Sequence, residues 1–122
     1  MAYATESALE KNFSAWCQVR DIIPIKGPSM FAKGIPDRYV QLPDGGGTIY
    51  IEFKGTSYYG LTAMQRMWKD YLINSSPNRY FLVENTDELD ALKKRCLEFI
   101  DIGKELVSYE TSLLEKLVTP KE

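Results

Sequence analysis

The chain has 122 residues, 44 % of them hydrophobic, with two cysteines, no histidine and a formal net charge of −2. That is one domain of chain with enough apolar residues for a core, and the missing histidine removes the usual zinc ligand and the usual base of a serine nucleophile. No apolar run approaches the ~18 residues of a membrane span, and Met1-Ala2-Tyr3-Ala4-Thr5-Glu6 lacks the basic region and apolar stretch of a signal peptide, so an intracellular, cytoplasmic protein is expected.

Residues 5 to 20 place Leu9, Phe13, Trp16 and Cys17 on one helical stripe, and Ser7 with Glu10 has the spacing of a capping box. Ile22 to Lys26 is short and β-branched and runs into Gly27-Pro28-Ser29, which predicts a strand ending at a turn. Two extended segments, Asp37 to Leu42 and Thr48 to Lys54, flank the turn formers Pro43-Asp44-Gly45-Gly46 and predict a hairpin. Leu61 to Asn74 repeats Leu61, Met64, Trp68, Tyr71 and Leu72 at helical spacing, with Thr62 and Gln65 placed as another capping box. Tyr80-Phe81-Leu82-Val83 predicts a strand within Arg79 to Glu84. Thr86, Asp87 and Glu88 then open a helix carrying Leu89, Leu92, Cys96, Leu97 and Ile100, which Gly103 is expected to end. A last amphipathic segment, Leu106, Tyr109, Leu113 and Leu117, could cap the domain or pair with a second copy. Cys17 and Cys96 fall among apolar helix positions and so read as buried free thiols.

Charge divides unevenly. Residues 1 to 80 carry nine Lys/Arg against seven Asp/Glu, and residues 81 to 122 carry six against ten, so a phosphate-facing surface is expected in the first two thirds. Lys26, Lys33, Arg38, Arg66 and Lys69 are the cations nearest the motifs below, although scattered Lys and Arg more often only solvate a surface.

Acids and one lysine converge in the hairpin. A four-residue loop at 43 to 46 sets Leu42 opposite Gly47 and therefore Asp37 opposite Glu52, and alternation puts Lys54 on the face of Glu52. The second Pro-Asp pair, Pro43-Asp44, lies in the turn, about 23 Å of extended strand from Asp37. Carboxylates and an ammonium group together suit phosphodiester hydrolysis, where a carboxylate-held Mg²⁺ neutralises charge developing on the phosphate. Each signal alone is weak: Glu-x-Lys is commonest on solvated strand faces, and Gln65 could serve only its helix cap.

In combination, Gly34-Ile35-Pro36-Asp37, Ile51-Glu52-Phe53-Lys54-Gly55 and Leu61-Thr62-Ala63-Met64-Gln65 resemble the successive motifs of VRR-NUC domains, a branch of the PD-(D/E)xK nucleases, over roughly Thr5 to Asn85. The resemblance implies a restriction-endonuclease-like α/β core, and the elements read along the chain, α-β-β-β-α-β-α plus a C-terminal helix, would form one mixed sheet with the helices packed around it. The resemblance also implies a Mg²⁺- or Mn²⁺-dependent nuclease acting on DNA, often on branched structures such as four-way junctions or flaps, and often as a homodimer. Position by position, Asp37 and Glu52 would bind the ion, with the Phe53 carbonyl and a glutamate of the first helix, Glu6 in preference to Glu10, completing its shell. Lys54 would activate water, and Gln65 would hydrogen-bond beside it. Residues 1–103 would form the nuclease domain and 104–122 its helical extension. Tyr58 and Tyr59 are candidates for base stacking, though loop packing explains them as well. The competing reading is a DNA-binding or assembly module that keeps the fold without catalysis.

Overall fold

The first helix starts at Thr5, one turn's edge earlier than the Ser7–Glu10 spacing suggests. In the computed structural model, which describes residues 4–26, 36, 38–55 and 60–118, α1 spans Glu6–Val19, and the Thr5 hydroxyl accepts the Ala8 N–H at 3.1 Å. Ser7 thus lies inside the helix, and Glu10 instead faces Arg38, Oε2 to Nη2 3.4 Å. The Ser7–Glu10 box therefore gives way to an earlier cap and a long-range ion pair. α1 buries Leu9, Phe13 and Cys17. Trp16, expected in the core, is half-buried at its margin, with the Arg20 guanidinium 4.4 Å over its ring.

Four strands follow from the pattern of short β-rich runs: β1 (Ile23–Lys26), β2 (Arg38–Leu42), β3 (Gly47–Phe53) and, after α2 (Ala63–Ser75), β4 (Tyr80–Val83). They form one sheet in the order β1-β2-β3-β4, antiparallel except for the parallel pair β3–β4, so the fold is α/β with a mixed sheet. Pro24 lacks an N–H and sits on the edge strand, where no ladder donor is lost. The hairpin register runs from Leu42–Gly47 to Arg38–Ile51, as the four-residue loop requires. In the turn Asp44 and Gly45 both adopt positive φ, 57° and 80°, a conformation that Asp and Gly tolerate best.

Alternation divides the sheet into two faces. Val40, Leu42, Ile49, Ile51, Phe53 and Val83 point to the side covered by α1 and by α3 (Thr86–Val118), where they meet Leu9, Phe13, Leu89, Leu92 and Cys96 in one core. The Phe13 and Phe53 rings are 6.0 Å apart. Cys17 and Cys96 are buried free thiols in this layer, and burial pushes each up to about 12 from the ordinary 9.0, with Cys17 adding to the shift of Cys96. The opposite face, with Tyr39, Thr48, Tyr50 and Glu52, meets α2. There the helical stripe is only partly used: Leu72 is buried, while Met64 and Tyr71 stay exposed. Helical spacing of apolar residues marks a face, and the narrow sheet beneath α2 covers only part of it.

Asn85 caps α3: its Oδ1 accepts the Glu88 N–H at 2.9 Å, and its Nδ2 donates to Glu88 Oε1 at 2.8 Å. Burial, then the nearby Glu84, raises the Glu88 carboxyl above its usual range, against the lowering effect of the Asn85 bond. Gly103 does not end this helix. α3 continues unbroken from Thr86 to Val118, through the boundary expected at residue 103. The glycine is there for close approach, because a Cβ at 103 would lie 2.5 Å from Asp44 O and Gly45 C and 2.6 Å from Gly46 N. A C-capping glycine and a packing glycine look alike in sequence, and here the helix lies directly on the hairpin turn. No helix among the described residues is long and apolar enough to cross a membrane.

Candidate active site

The site forms at the carboxyl end of β3, where the chain leaves the sheet beside its parallel neighbour β4. Lys54 N–H still donates to Val83 O at 3.0 Å, so the backbone is held in sheet geometry one residue beyond the strand. Strand alternation then fixes three directions: Phe53 into the core against Phe13, and Glu52 and Lys54 to the other face.

Glu52 is 1 % exposed, a buried charged residue among the described ones, as Asn85 is a buried polar one. An ionised carboxylate in such a place costs several kcal/mol unless it is paired and hydrogen-bonded (about 3–5 kcal/mol when one partner is removed). Both kinds of partner are present: Lys54 Nζ lies 3.6 Å from Glu52 Oε1, and Gln65 Nε2 donates to the same oxygen at 2.6 Å.

Gln65 combines two roles that the sequence leaves as alternatives. Its N–H donates to Thr62 Oγ1 at 3.1 Å, and its Oε1 accepts the Thr62 N–H at 2.9 Å, which completes the capping box of α2. The remaining end of the amide, the Nε2 group, is the one that reaches Glu52. Helix initiation and site assembly are therefore performed by one side chain.

The start of α1 closes on the same region through Gly55. This residue has φ +73°, and a Cβ there would lie 2.6 Å from Glu6 N and 3.1 Å from Ala4 O. In the sequence motif Gly55 is only the last residue; its tight approach places the first turn of α1, and hence the backbone of Glu6, one residue past Lys54. The Glu6 side chain is exposed. Glu10, its rival for the helix position, is engaged by Arg38. Of the predicted set, Glu52, Lys54 and Gln65 are in contact, Glu6 is brought near through its backbone, and Phe53 could contribute only its carbonyl. Asp37 lies outside the described residues, as do Lys33, Tyr58 and Tyr59. Among the described residues, no group of three or more His, Cys, Asp or Glu side chains is gathered that could hold a metal ion.

Beside Glu52 on the same face, an open cleft of about 440 Å³ runs between α2 and the hairpin, lined mainly by Tyr39, Tyr50, Trp68, Tyr71 and Leu72. The signal for it was present in the alternation Thr48, Tyr50, Glu52 and in the pairing of Tyr39 with Tyr50. Trp68 Nε1 is enclosed and has no hydrogen-bond partner among the described residues.

No protein-family model matches the chain, and neither the characterised proteins nor the solved structures compared with it yield a match.

Proposed function

We propose that the chain is a metal-dependent nuclease with a restriction-endonuclease-like core that hydrolyses DNA phosphodiesters, preferring branched substrates such as four-way junctions or flaps. The observation that carries this reading is Glu52: a buried carboxylate at a strand end, bound by a lysine two residues on and by a glutamine that also starts the next helix. A fold gains little from such a group. Replacing a buried ion pair with apolar side chains is often neutral or stabilising, so the arrangement calls for a chemical role.

An all-oxygen donor set without histidine suits Mg²⁺ or Mn²⁺. Glu52 and Asp37 would hold the ion, with Glu6 and the Phe53 carbonyl as further ligands, and when bound it would neutralise charge on the phosphate. Lys54, its ammonium fixed beside Glu52, would orient the attacking water and stabilise the developing negative charge. Gln65 would keep the Glu52 carboxylate in one orientation. The α-β-β-β-α-β-α order and the mixed sheet agree with the elements read along the sequence.

The test is cleavage of labelled four-way junction, flap and duplex DNA in Mg²⁺ or Mn²⁺ by the wild type, Asp37→Ala and Lys54→Ala. Metal-dependent cutting by the wild type, lost by at least about 10²-fold in both variants, is expected. Equal activity in all three would sink the site assignment. Binding without cutting would favour the non-catalytic module.

A further inference from the structure

Beyond Gly103, α3 leaves the body of the domain. Val107 still touches Gly45, and Lys104 Nζ lies 4.0 Å from Asp44 Oδ2, yet every residue from 104 to 117 is exposed. A helical segment of this length is marginal in water on its own propensity and is ordinarily held by packing of an apolar face. This one has such a face with nothing described against it. Ile102, Leu106, Tyr109, Leu113 and Leu117 follow one another at steps of four, three, four and four residues, which keeps them on one stripe. Leu106 is 56 % exposed, Tyr109 63 % and Leu117 80 %, and Leu114 adds to the exposed apolar surface on one flank. A contiguous exposed apolar stripe of this kind marks an interaction surface rather than the ordinary surface of a monomer.

We infer that the stripe is the homodimerisation surface of this chain, pairing residues 104–118 of two copies as antiparallel helices. This is independent of the nuclease reading. Three features favour a second copy in that orientation. The first is charge: Glu105 and Lys116 border the same flank of the stripe, and in an antiparallel two-fold pair equal flanks meet. With Tyr109 of one copy against Leu113 of the other, Glu105 of each falls beside Lys116 of its mate, giving two reciprocal opposite-charge pairs, and Leu106 falls beside Leu117 of the second copy. A parallel pair in register would set Glu105 beside Glu110 of the second copy, two like-charge contacts. The second is clearance: residue 103 of one copy comes level with residue 119 of the other, so the folded bodies sit at opposite ends of a paired segment about 24 Å long. The third is symmetry, since a self-complementary stripe closes a two-fold dimer and leaves no face for further growth.

The experiment is sedimentation equilibrium of the full chain from low to high micromolar concentration, for the wild type, Glu105→Lys, Lys116→Glu, the double reversal and Leu106→Glu/Leu113→Glu. The wild type is expected to dimerise. Each single reversal turns two attractive contacts into two repulsive ones and raises the dimer Kd about tenfold, and the double reversal returns it to the wild-type value. Leu106→Glu/Leu113→Glu is monomeric, while its thermal unfolding reports an intact body, because both side chains are exposed. A monomeric wild type, or a dimer that survives the double leucine substitution, overturns the proposal. Failure of the double reversal to rescue overturns the antiparallel register.

Discussion

Replacing Glu52 by leucine and Lys54 by methionine should move stability in different directions, although the two residues form one ion pair. Lys54→Met takes the neighbouring cation from a carboxylate that is 1 % exposed and that still accepts from the neutral Gln65 Nε2 at 2.6 Å. Breaking a buried pair in this way costs about 3–5 kcal/mol. Lys54 keeps a fifth of its side chain exposed and Gln65 still donates, so the lower end applies, about 3 kcal/mol. For a domain of this size that lowers Tm by roughly 12 °C. Glu52→Leu removes the buried charge itself. The lysine head can then turn to water, the glutamine keeps its bonds to Thr62, and leucine fills a space already closed to solvent, so Tm is expected to stay level or rise by a few degrees while any metal-dependent activity disappears. Thermal melts of the two variants followed by circular dichroism decide the matter. A Glu52→Leu protein that melts as early as Lys54→Met would mean that the ion pair is a net stabiliser, and the argument that Glu52 is kept for chemistry would fail.

Two further outcomes follow from packing. Gly103→Ala should raise helix propensity by about 1 kcal/mol, but its Cβ would meet backbone atoms of the 44–46 turn at 2.5–2.6 Å, so a net loss of about 1–3 kcal/mol is expected as a lower urea midpoint; a higher midpoint would show that the helix does not seat on the turn. The thiols of Cys17 and Cys96, pushed to about 12, should resist alkylation at pH 8 until the protein is unfolded. Their folded values lie above the unfolded 9.0, so the stability they contribute is fully present below pH 9 and is lost as pH rises towards 12, by up to about 1.4 kcal/mol per unit for each thiol. Urea titrations at pH 8 and pH 10 should show a shallower loss in Cys17→Ala/Cys96→Ala.

Local chemistry made much of this fold legible. The turn formers at 43–46 set a loop length, the loop length set the hairpin register, and the register together with alternation put Glu52 and Lys54 on one face. Thr62 and Gln65 marked the start of α2 because both halves of a capping box are local. What failed depended on distant partners. Ser7 and Glu10 have the right spacing, but Thr5 caps first and Arg38, far along the chain, draws Glu10 away. Gly103 has the composition of a helix end, and only the turn pressed against it explains why the helix continues. The apolar stripe of α2 was legible as a stripe, whereas how much of it the sheet could cover was set by strand number.

The amide of Gln65 has one more consequence. Its oxygen is spent on the Thr62 N–H, and turning the amide over would forfeit that bond and set an oxygen against the Glu52 carboxylate. The side chain is therefore a one-way valve for polarity: it offers hydrogen to whatever occupies the end of β3 and withholds its lone pairs. Cations approaching that corner find no ligand in it, while an anionic oxygen finds a donor whose aim was settled when the helix began.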